Sequence, residues 1–313
     1  MTFFDDKPSG PPEQDSLEQQ SSFPVAAEPL PAEDPNSRLA GDPINYAASA
    51  FSPYTPRPSL PEDLRISWSW THFFVFIFFA LSSFFLVQSA LILYFAPHRT
   101  MSPKDLERYL LNKPQFLFGT NLLWYAAIFL FLYVTLGVLR GKPFWPSLGW
   151  KKLKSNLSAG NANPWAYFFS GCGLAIFVFA VSSQVHTDDT MPIQEVLKNR
   201  NSAMLLMAMA VFIAPLVEET VFRGYLYPLF AKSFGIVPGI LLTGVLFGLM
   251  HGAQLGWTWG IVGLLILVGI IFTFARAHTG TVLASFLLHL GYNSMIAVAT
   301  IVGTHGFTQT PTR

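Results

Sequence analysis

The chain contains little cysteine and little charge. Its one cysteine, Cys172, excludes an internal disulfide bond, and its apolar neighbours favour the role of a small buried hydrophobic residue. Only 12% of the 313 residues are charged, whereas about 25% is usual for a soluble domain. The net charge of +1 excludes the strongly basic surface on which nucleic-acid binding depends, so no nucleic acid is expected among the partners.

Long apolar runs take the place of the missing charge. Hydrophobic residues make up 51% of the chain, and its mean hydropathy is +0.41. Because about 20 apolar residues cross a bilayer as a helix, the runs predict an all-α, polytopic transmembrane helical bundle of about seven spans, or eight if a longer linker also enters the membrane. The protein is therefore expected to be an integral, multi-pass membrane protein in contact with the lipid bilayer, in the inner or plasma membrane if the source is bacterial. The predicted spans are His72–Ala96, Phe116–Leu139, Trp165–Val185, a run from Ala203 that passes Pro215 and reaches Glu218 and Glu219, Ile236–Met250, Trp257–Ala275 and Thr281–Val302.

Four regions differ in composition. Residues 1–65 hold twelve of the 23 prolines, and eleven acidic residues against four basic ones. Such a segment buries too little apolar surface to offset its loss of conformational entropy, which predicts a disordered tail. Residues 66–202 are predicted to form the N-terminal spans and basic loops, residues 203–303 a transmembrane core, and residues 304–313 a short C-terminal tail. The five basic residues of the loop 140–163 favour a cytoplasmic N-terminus.

Ionisable residues occur inside the C-terminal spans. Glu218 and Glu219 are adjacent, and Arg223 follows Glu219 by one helical turn, in the order that favours an ion pair. An ionisable group at membrane depth costs about 2.5–3.5 kcal/mol, and neighbouring carboxylates also repel each other. Successive helical residues point about 100° apart, so Glu218 faces elsewhere when Glu219 pairs with Arg223. A structural ion pair is one explanation of Glu219 and Arg223, but it leaves Glu218 without a structural role.

Histidine and asparagine side chains repeat this four-residue spacing on two later spans. Phe247 and His251 share one helix face, as do His289 and Asn293. A carboxylate in a low-dielectric site can act as general base toward water, an imidazole can position water or bind a metal, and an amide can donate to an oxyanion. This set meets the requirements of amide hydrolysis if the helices converge. The alternative for Asn293 is a hydrogen bond that bridges two helices.

Straight helices would hold these groups apart. With a cytoplasmic N-terminus, Glu218 is expected near the cytoplasmic end of its span and His251 near the opposite end of its own, roughly 20 Å away at 1.5 Å per residue. Convergence therefore requires a tilted or broken helix, with Pro215, Pro228 and Pro238 as candidate break points, or a span that begins deeper than its hydropathy indicates.

Three sequence motifs follow one another along these spans. Glu218–Gly224 reads EETVFRG and fits EExxxR, Phe247–His251 reads FGLMH and fits FxxxH, and His289–Asn293 reads HLGYN and fits HxxxN. Together, in this order, they resemble the CPBP family, which comprises the CAAX proteases and bacteriocin-processing enzymes. The resemblance covers approximately Ala203 to Val302. It implies an intramembrane endopeptidase that cleaves a membrane-associated protein or peptide.

The resemblance also implies roles for the motif residues. By motif position, Glu218 would activate water, with His251 and His289 assisting. Asn293 would donate to the oxyanion, and Glu219 and Arg223 would support the site. Which glutamate is the base stays open at this point. The family is often called a metalloprotease, and His251, His289 and Glu218 would form a ligand set for zinc or another divalent metal, although the usual HExxH spacing on one helix is absent.

Two other classes of function compete with proteolysis. One is a non-catalytic membrane scaffold or bacteriocin-immunity protein, which the intact motifs disfavour. The other is a small secondary transporter in which Glu218, Glu219 and Arg223 relay protons or ions. Transporters usually contain inverted repeats, and the sequence contains no recognisable internal repeat.

Overall fold

Helices make up all the regular structure in the described part of the chain. The structure is a computed structural model that describes residues 61–97, 101–153, 163–185 and 192–307. The all-α prediction is confirmed for these ranges. The helices are α1 (Trp70–Phe95), α2 (Pro103–Leu111), α3 (Pro114–Leu132), α4 (Phe144–Ser147), α5 (Pro164–Ser182), α6 (Pro192–Leu197), α7 (Arg200–Phe212), α8 (Ala214–Glu219), α9 (Tyr227–Phe234), α10 (Ile236–Met250), α11 (Trp259–Thr279) and α12 (Val282–Gly303). A π-helix at Tyr133–Val138 extends α3, and a second one at Thr220–Leu226 joins α8 to α9.

Six helical stretches of the described chain are long and apolar enough to cross a membrane. Helix α10 is equally apolar but has only 15 residues, and its bounds are the predicted ones. The prediction of about seven spans in a multi-pass membrane protein is confirmed. Helices α3 and α5 begin with Pro114 and Pro164, at positions where the N–H that proline lacks would have no helical partner.

The predicted tails lie largely outside the described ranges, at residues 1–60 and 308–313. The described end of the N-terminal region contacts the bundle. Leu64 is only 2% exposed and packs against α9 and α10. Next to it, Asp63 accepts a hydrogen bond of 2.8 Å from the buried Arg276 of α11. These two contacts hold the chain against the helix bundle just before α1 begins.

The longest helical stretch, Arg200–Phe234, is not a uniform α-helix. It is interrupted at Ile213, two residues before Pro215. Proline has no N–H to donate to the carbonyl four residues earlier, which here is that of Val211, and its ring crowds that carbonyl. An interruption of the helix is therefore expected at this place. The π-helix at Thr220–Leu226 follows directly after the two glutamates. Segments of this kind are rare and occur frequently at functional sites.

The largest cluster of buried hydrophobic residues surrounds this π-helix. It joins the N-terminal helices to the second half of the chain, because its members come from α1 and the segment before it, α3, α4 and the loop after it, both π-helices, α9 and α10. Members from these elements include Phe76, Leu132, Leu148, Phe222, Tyr225, Leu226 and Phe247. The segment that carries the motif residues is therefore packed in the centre of the apolar core.

Candidate active site

A buried ion pair lies at the centre of the site. Arg223 donates through Nη1 to Oε1 of Glu219 at 2.8 Å, and both side chains are 0% exposed. The same guanidinium donates to Oγ1 of Thr273 at 3.2 Å and to the carbonyl of Gly269 at 2.9 Å. These bonds join α8 and the π-helix to α11. A charge that is buried in this way needs such partners, since an unpaired one is strongly destabilising.

The imidazole of His289 joins this pair from α12. Its Nδ1 lies 2.9 Å from Oε1 of Glu219. Because that oxygen also accepts from Arg223, it belongs to a carboxylate, and Nδ1 of His289 must carry the hydrogen that is donated. The Nε2 atom on the other side of the ring is left to face Glu218, at 3.8 Å from its Oε2. His289 is therefore placed between the two glutamates.

The two glutamates have different surroundings. Glu219 is fully buried and is held by Arg223 and His289, whereas the side chain of Glu218 is 18% exposed. The Oε2 atom of Glu218 is buried and makes no hydrogen bond to any residue that the structure describes. The 3.8 Å separation between this atom and His289 is longer than a direct hydrogen bond and suits a bridging water. The Oε2 atom of Glu219 also lacks a partner among these residues, so the difference between the two carboxylates is that Glu218 is partly exposed and Glu219 is not.

Aromatic rings enclose the charged groups. Arg223 lies 4.5 Å from the ring centre of Phe247 and 5.3 Å from that of Phe272, which are distances for cation–π attraction. The ring of His289 lies 5.7 Å from Phe247 and 4.9 Å from Phe272. Such a surrounding excludes water from the ion pair and strengthens its electrostatic interactions.

His251 lies at the end of α10 and contacts the same aromatic enclosure. Its Nδ1 is 2.8 Å from the carbonyl oxygen of Phe247, and its ring centre is 4.8 Å from that of Phe247. Phe247 therefore contacts both imidazoles. The structure gives His251 no direct bond to either glutamate within the described residues.

His251 and Glu218 lie at a similar level in the helix bundle, which differs from the expectation from the sequence. Glu218 was expected at one end of its span and His251 at the far end of another. The helical stretch instead continues past Glu218 to Phe234, so Glu218 lies in its middle, and the short α10 then runs back beside it. Glu219 and His251 are equally distant along the chain from the turn at Gly235. The ring contact of 5.3 Å between Phe222 and Phe247, one turn away, confirms that the two helices are aligned at this level.

Asn293 lies one turn beyond His289 on α12. Its Nδ2 donates to the carbonyl oxygen of Ala210 at 2.7 Å. Ala210 belongs to the last turn of α7, just before the interruption at Ile213. The amide therefore bridges α12 to α7, which is the structural alternative considered for this residue. Its role as oxyanion donor stays a prediction.

The three predicted metal ligands, His251, His289 and Glu218, do not form a metal-binding group in the structure. No three His, Cys, Asp or Glu side chains in the described part of the chain are grouped as metal ligands. One nitrogen of His289 is engaged by Glu219, and one nitrogen of His251 by the Phe247 carbonyl. The zinc set stays a prediction.

Sequence reasoning missed the contribution of α11. Thr273, Phe272 and the Gly269 carbonyl all contact Arg223, but none belongs to a motif. Thr273 also donates to the Gly269 carbonyl one turn earlier, as threonines in apolar helices commonly do. The sequence therefore contains no signal that distinguishes this threonine from an ordinary one.

The comparison with known protein families agrees with this geometry. Residues 200–295 match the family described as Type II CAAX prenyl endopeptidase Rce1-like. The match confirms the resemblance to the CPBP/CAAX proteases. It begins with α7, ends within α12 and includes all six motif residues. In general terms it supports an intramembrane endopeptidase of the CAAX type, a membrane protease. No curated protein and no solved structure matches the chain.

Proposed function

We propose that the protein hydrolyses a peptide bond of a membrane-associated protein or peptide, with a water molecule activated by Glu218 and His289. The observation that carries this proposal is the convergence of both motif glutamates on one imidazole, which belongs to a different helix. A structural ion pair would need only Glu219 and Arg223. It would leave unexplained why Glu218 also approaches His289, with its Oε2 atom 3.8 Å from Nε2 of the imidazole.

Each carboxylate has its own task in this mechanism. Glu219, fixed by Arg223, holds the Nδ1–H of His289 and so orients the ring and selects its tautomer. The Nε2 atom then presents a lone pair toward Glu218. This arrangement resembles the base–orienter pair that supports nucleophile activation in other hydrolases. Glu218 is the proposed general base because its side chain is 18% exposed and can be reached by water, whereas Glu219 is fully buried and its Oε1 atom already contacts both Arg223 and His289.

The reaction follows from these positions. A water bound between Oε2 of Glu218 and Nε2 of His289 gives a proton to Glu218, and its oxygen attacks the carbonyl carbon of the scissile bond. The carbonyl oxygen becomes the oxyanion of a tetrahedral intermediate. The second N–H of Asn293, which the bond to Ala210 does not use, is the proposed donor to that oxyanion. Collapse of the intermediate breaks the C–N bond, and the proton held by Glu218 passes to the leaving amine.

His251 is proposed to assist at the other side of Phe247. Its Nδ1 is held by the Phe247 carbonyl, so its Nε2 is the atom that can contact the substrate or its water. The match to a family of CAAX prenyl endopeptidases suggests prenylated peptides with a C-terminal CAAX sequence as first candidate substrates. We propose them as probes for this chain.

The proposal is tested by comparing the new peptide termini in membranes that contain the wild-type protein or its Glu218→Gln variant. Glutamine keeps the size of the side chain but cannot accept the proton. We expect termini that are present with the wild type and absent with the variant, at equal amounts of folded protein. Identical sets of termini would contradict a proteolytic function in those membranes.

A further inference from the structure

Two tryptophans from outside the family-matched region hold the two ends of the π-helix that follows the glutamates. Trp150 donates through its indole N–H to Oγ1 of Thr220, the first residue of the π-helix, at 3.2 Å. Trp68 donates through its indole N–H to the backbone carbonyl of Tyr225, near the other end, also at 3.2 Å. Both tryptophans precede residue 200, where the family match begins.

Tyr225 is enclosed by the N-terminal part of the chain. It is 0% exposed, and its ring stacks on Trp68 with centres 5.4 Å apart. Phe76 meets the same ring edge-on at 4.9 Å. The phenol oxygen is hydrogen bonded to Nδ1 of His72 at 2.7 Å. Helix α1 and Trp68, two residues before it, therefore fix both the side chain and the carbonyl of Tyr225.

Trp150 also contacts the helix that carries the catalytic imidazole. Its ring meets Phe286 of α12 at 5.4 Å, one turn before His289. The loop around Trp150 is fastened to the start of that helix, because the Gly149 carbonyl accepts from the backbone N–H of Val282 at 2.9 Å. Trp150 thus touches the segment of the glutamates and the helix of the histidine at once.

The same loop lies directly on the π-helix. A Cβ atom on Gly224 would come within 2.8 Å of the Leu148 carbonyl oxygen, so a larger residue could not be accommodated without a shift of backbone. Leu148 is itself 0% exposed. Backbone contact at Gly224 and an indole bond at Thr220 together leave this segment little freedom to move relative to the loop.

The path of the π-helix determines where Arg223 meets Glu219. A π-helix is less favourable than an α-helix and persists where the surrounding structure holds it. If Thr220–Leu226 relaxed to α-helical bonds, Arg223 would rotate relative to Glu219, and the carboxylate that orients His289 would move. Displacements of about 1 Å in a catalytic constellation can cost about 10²-fold in rate.

We infer that Trp150 and Trp68 are positioning residues, which hold the π-helix and α12 so that the glutamates and His289 meet in register. This inference rests on the proposed function. It assigns a catalytic contribution to a part of the chain, residues 66–153, that the family match does not include.

The test uses Trp150→Phe and Trp68→Phe, which keep an aromatic ring and remove only the indole N–H and part of the ring. Trp124→Phe is the matched control. Trp124 also donates its indole N–H to a backbone carbonyl, that of Ala80 at 2.9 Å, but this bond joins α3 to α1 and does not involve the π-helix. The proteins are reconstituted in lipid nanodiscs and assayed with an S-farnesylated CAAX peptide and its unmodified counterpart.

We expect kcat of Trp150→Phe to fall by about 10-fold to 10²-fold with KM changed by no more than about twofold, because positioning and not substrate binding is lost. Trp124→Phe should keep the wild-type kcat. Thr220→Val removes the acceptor of the same bond, so the double variant Trp150→Phe/Thr220→Val should lose little more than Trp150→Phe alone. Hydrogen exchange of the amides at 220–226 should accelerate in Trp150→Phe and Trp68→Phe but not in Trp124→Phe.

Wild-type kcat in Trp150→Phe, or losses equal to those in Trp124→Phe, would overturn the inference while leaving the proposed function intact. Absence of cleavage by the wild type of both the peptides and the membrane proteins would instead overturn the proposed function. Hydrogen exchange needs no substrate. Unchanged exchange at 220–226 in both tryptophan variants would therefore contradict the positioning role in either case.

Discussion

At the scale of single residues, the adjacent carboxylates of Glu218 and Glu219 have different environments because successive residues of a helix point in different directions. Glu219 points to Arg223 and His289 and is fully buried, whereas Glu218 points about 100° away and its side chain is 18% exposed. The arginine explains why two acidic residues are tolerated in an apolar core. It neutralises Glu219, and the other carboxylate, Glu218, is the general base in the proposed mechanism.

Removal of the Arg223 side chain should therefore lower the stability of the folded protein. In Arg223→Ala, Glu219 keeps its buried position without its main partner, a loss that can cost about 3–5 kcal/mol. We expect a lower yield of folded protein and a lower midpoint of thermal unfolding in detergent. Lys232→Ala is the control, because Lys232 is an exposed cation on the same helical stretch. Equal stability of the two variants would show that the ion pair does not hold the helix.

At the scale of helices, the site depends on departures from regular α-helix. The interruption at Ile213 lies one turn from the carbonyl that Asn293 contacts, and the π-helix begins immediately after Glu219. Helix α10 is short enough that His251 returns to the level of Glu219. These three features bring together groups that straight helices of equal length would hold apart.

Asn293→Ala tests the contact between α12 and α7. If the amide donates to the oxyanion, turnover should fall by roughly 10²–10³-fold, whereas loss of a hydrogen bond between helices alone costs only about 0.6–1.7 kcal/mol of stability. Turnover and thermal unfolding are measured on the same preparation, with Asn121→Ala as control. Asn121 donates to its own helix at the Leu117 carbonyl and lies on α3. A loss of stability without a loss of turnover would assign Asn293 a structural role alone.

The membrane-spanning helices could be predicted from the sequence because their apolar composition determines them. Apolar runs predicted a span at the place of each of the six long apolar stretches of the described chain, although the fourth was predicted only as far as Glu218 and Glu219 and extends to Phe234. The four-residue spacing of Glu219 and Arg223 predicted their ion pair. Charged residues end an apolar run, so hydropathy placed Glu218 at the end of a span, whereas the helical stretch continues through the π-helix to Phe234 and Glu218 lies in its middle. Thr273 was missed because its side chain reaches Arg223 only after α11 has packed against the π-helix.

At the scale of the whole molecule, the two halves of the chain are not independent. The family match covers α7 to most of α12, yet the residues that enclose Tyr225 come from α1 and the segment before it. Asp63 pairs with the buried Arg276, and the loop at Gly149 is bonded to the first residue of α12. The N-terminal spans therefore pack against the motif-bearing helices and hold them in position, in addition to crossing the membrane.

The most direct test of the account is the rate at which Glu218→Gln, reconstituted in lipid, cleaves a membrane substrate identified from the wild-type termini, normalised to folded protein. The account predicts a fall of at least about 10²–10⁴-fold, the contribution typical of a general base, with thermal unfolding unchanged because Glu218 holds no structural ion pair. Wild-type activity in Glu218→Gln would contradict the assignment of Glu218 as the base. Wild-type activity in the double variant Glu218→Gln/Glu219→Gln would contradict the glutamate mechanism as a whole.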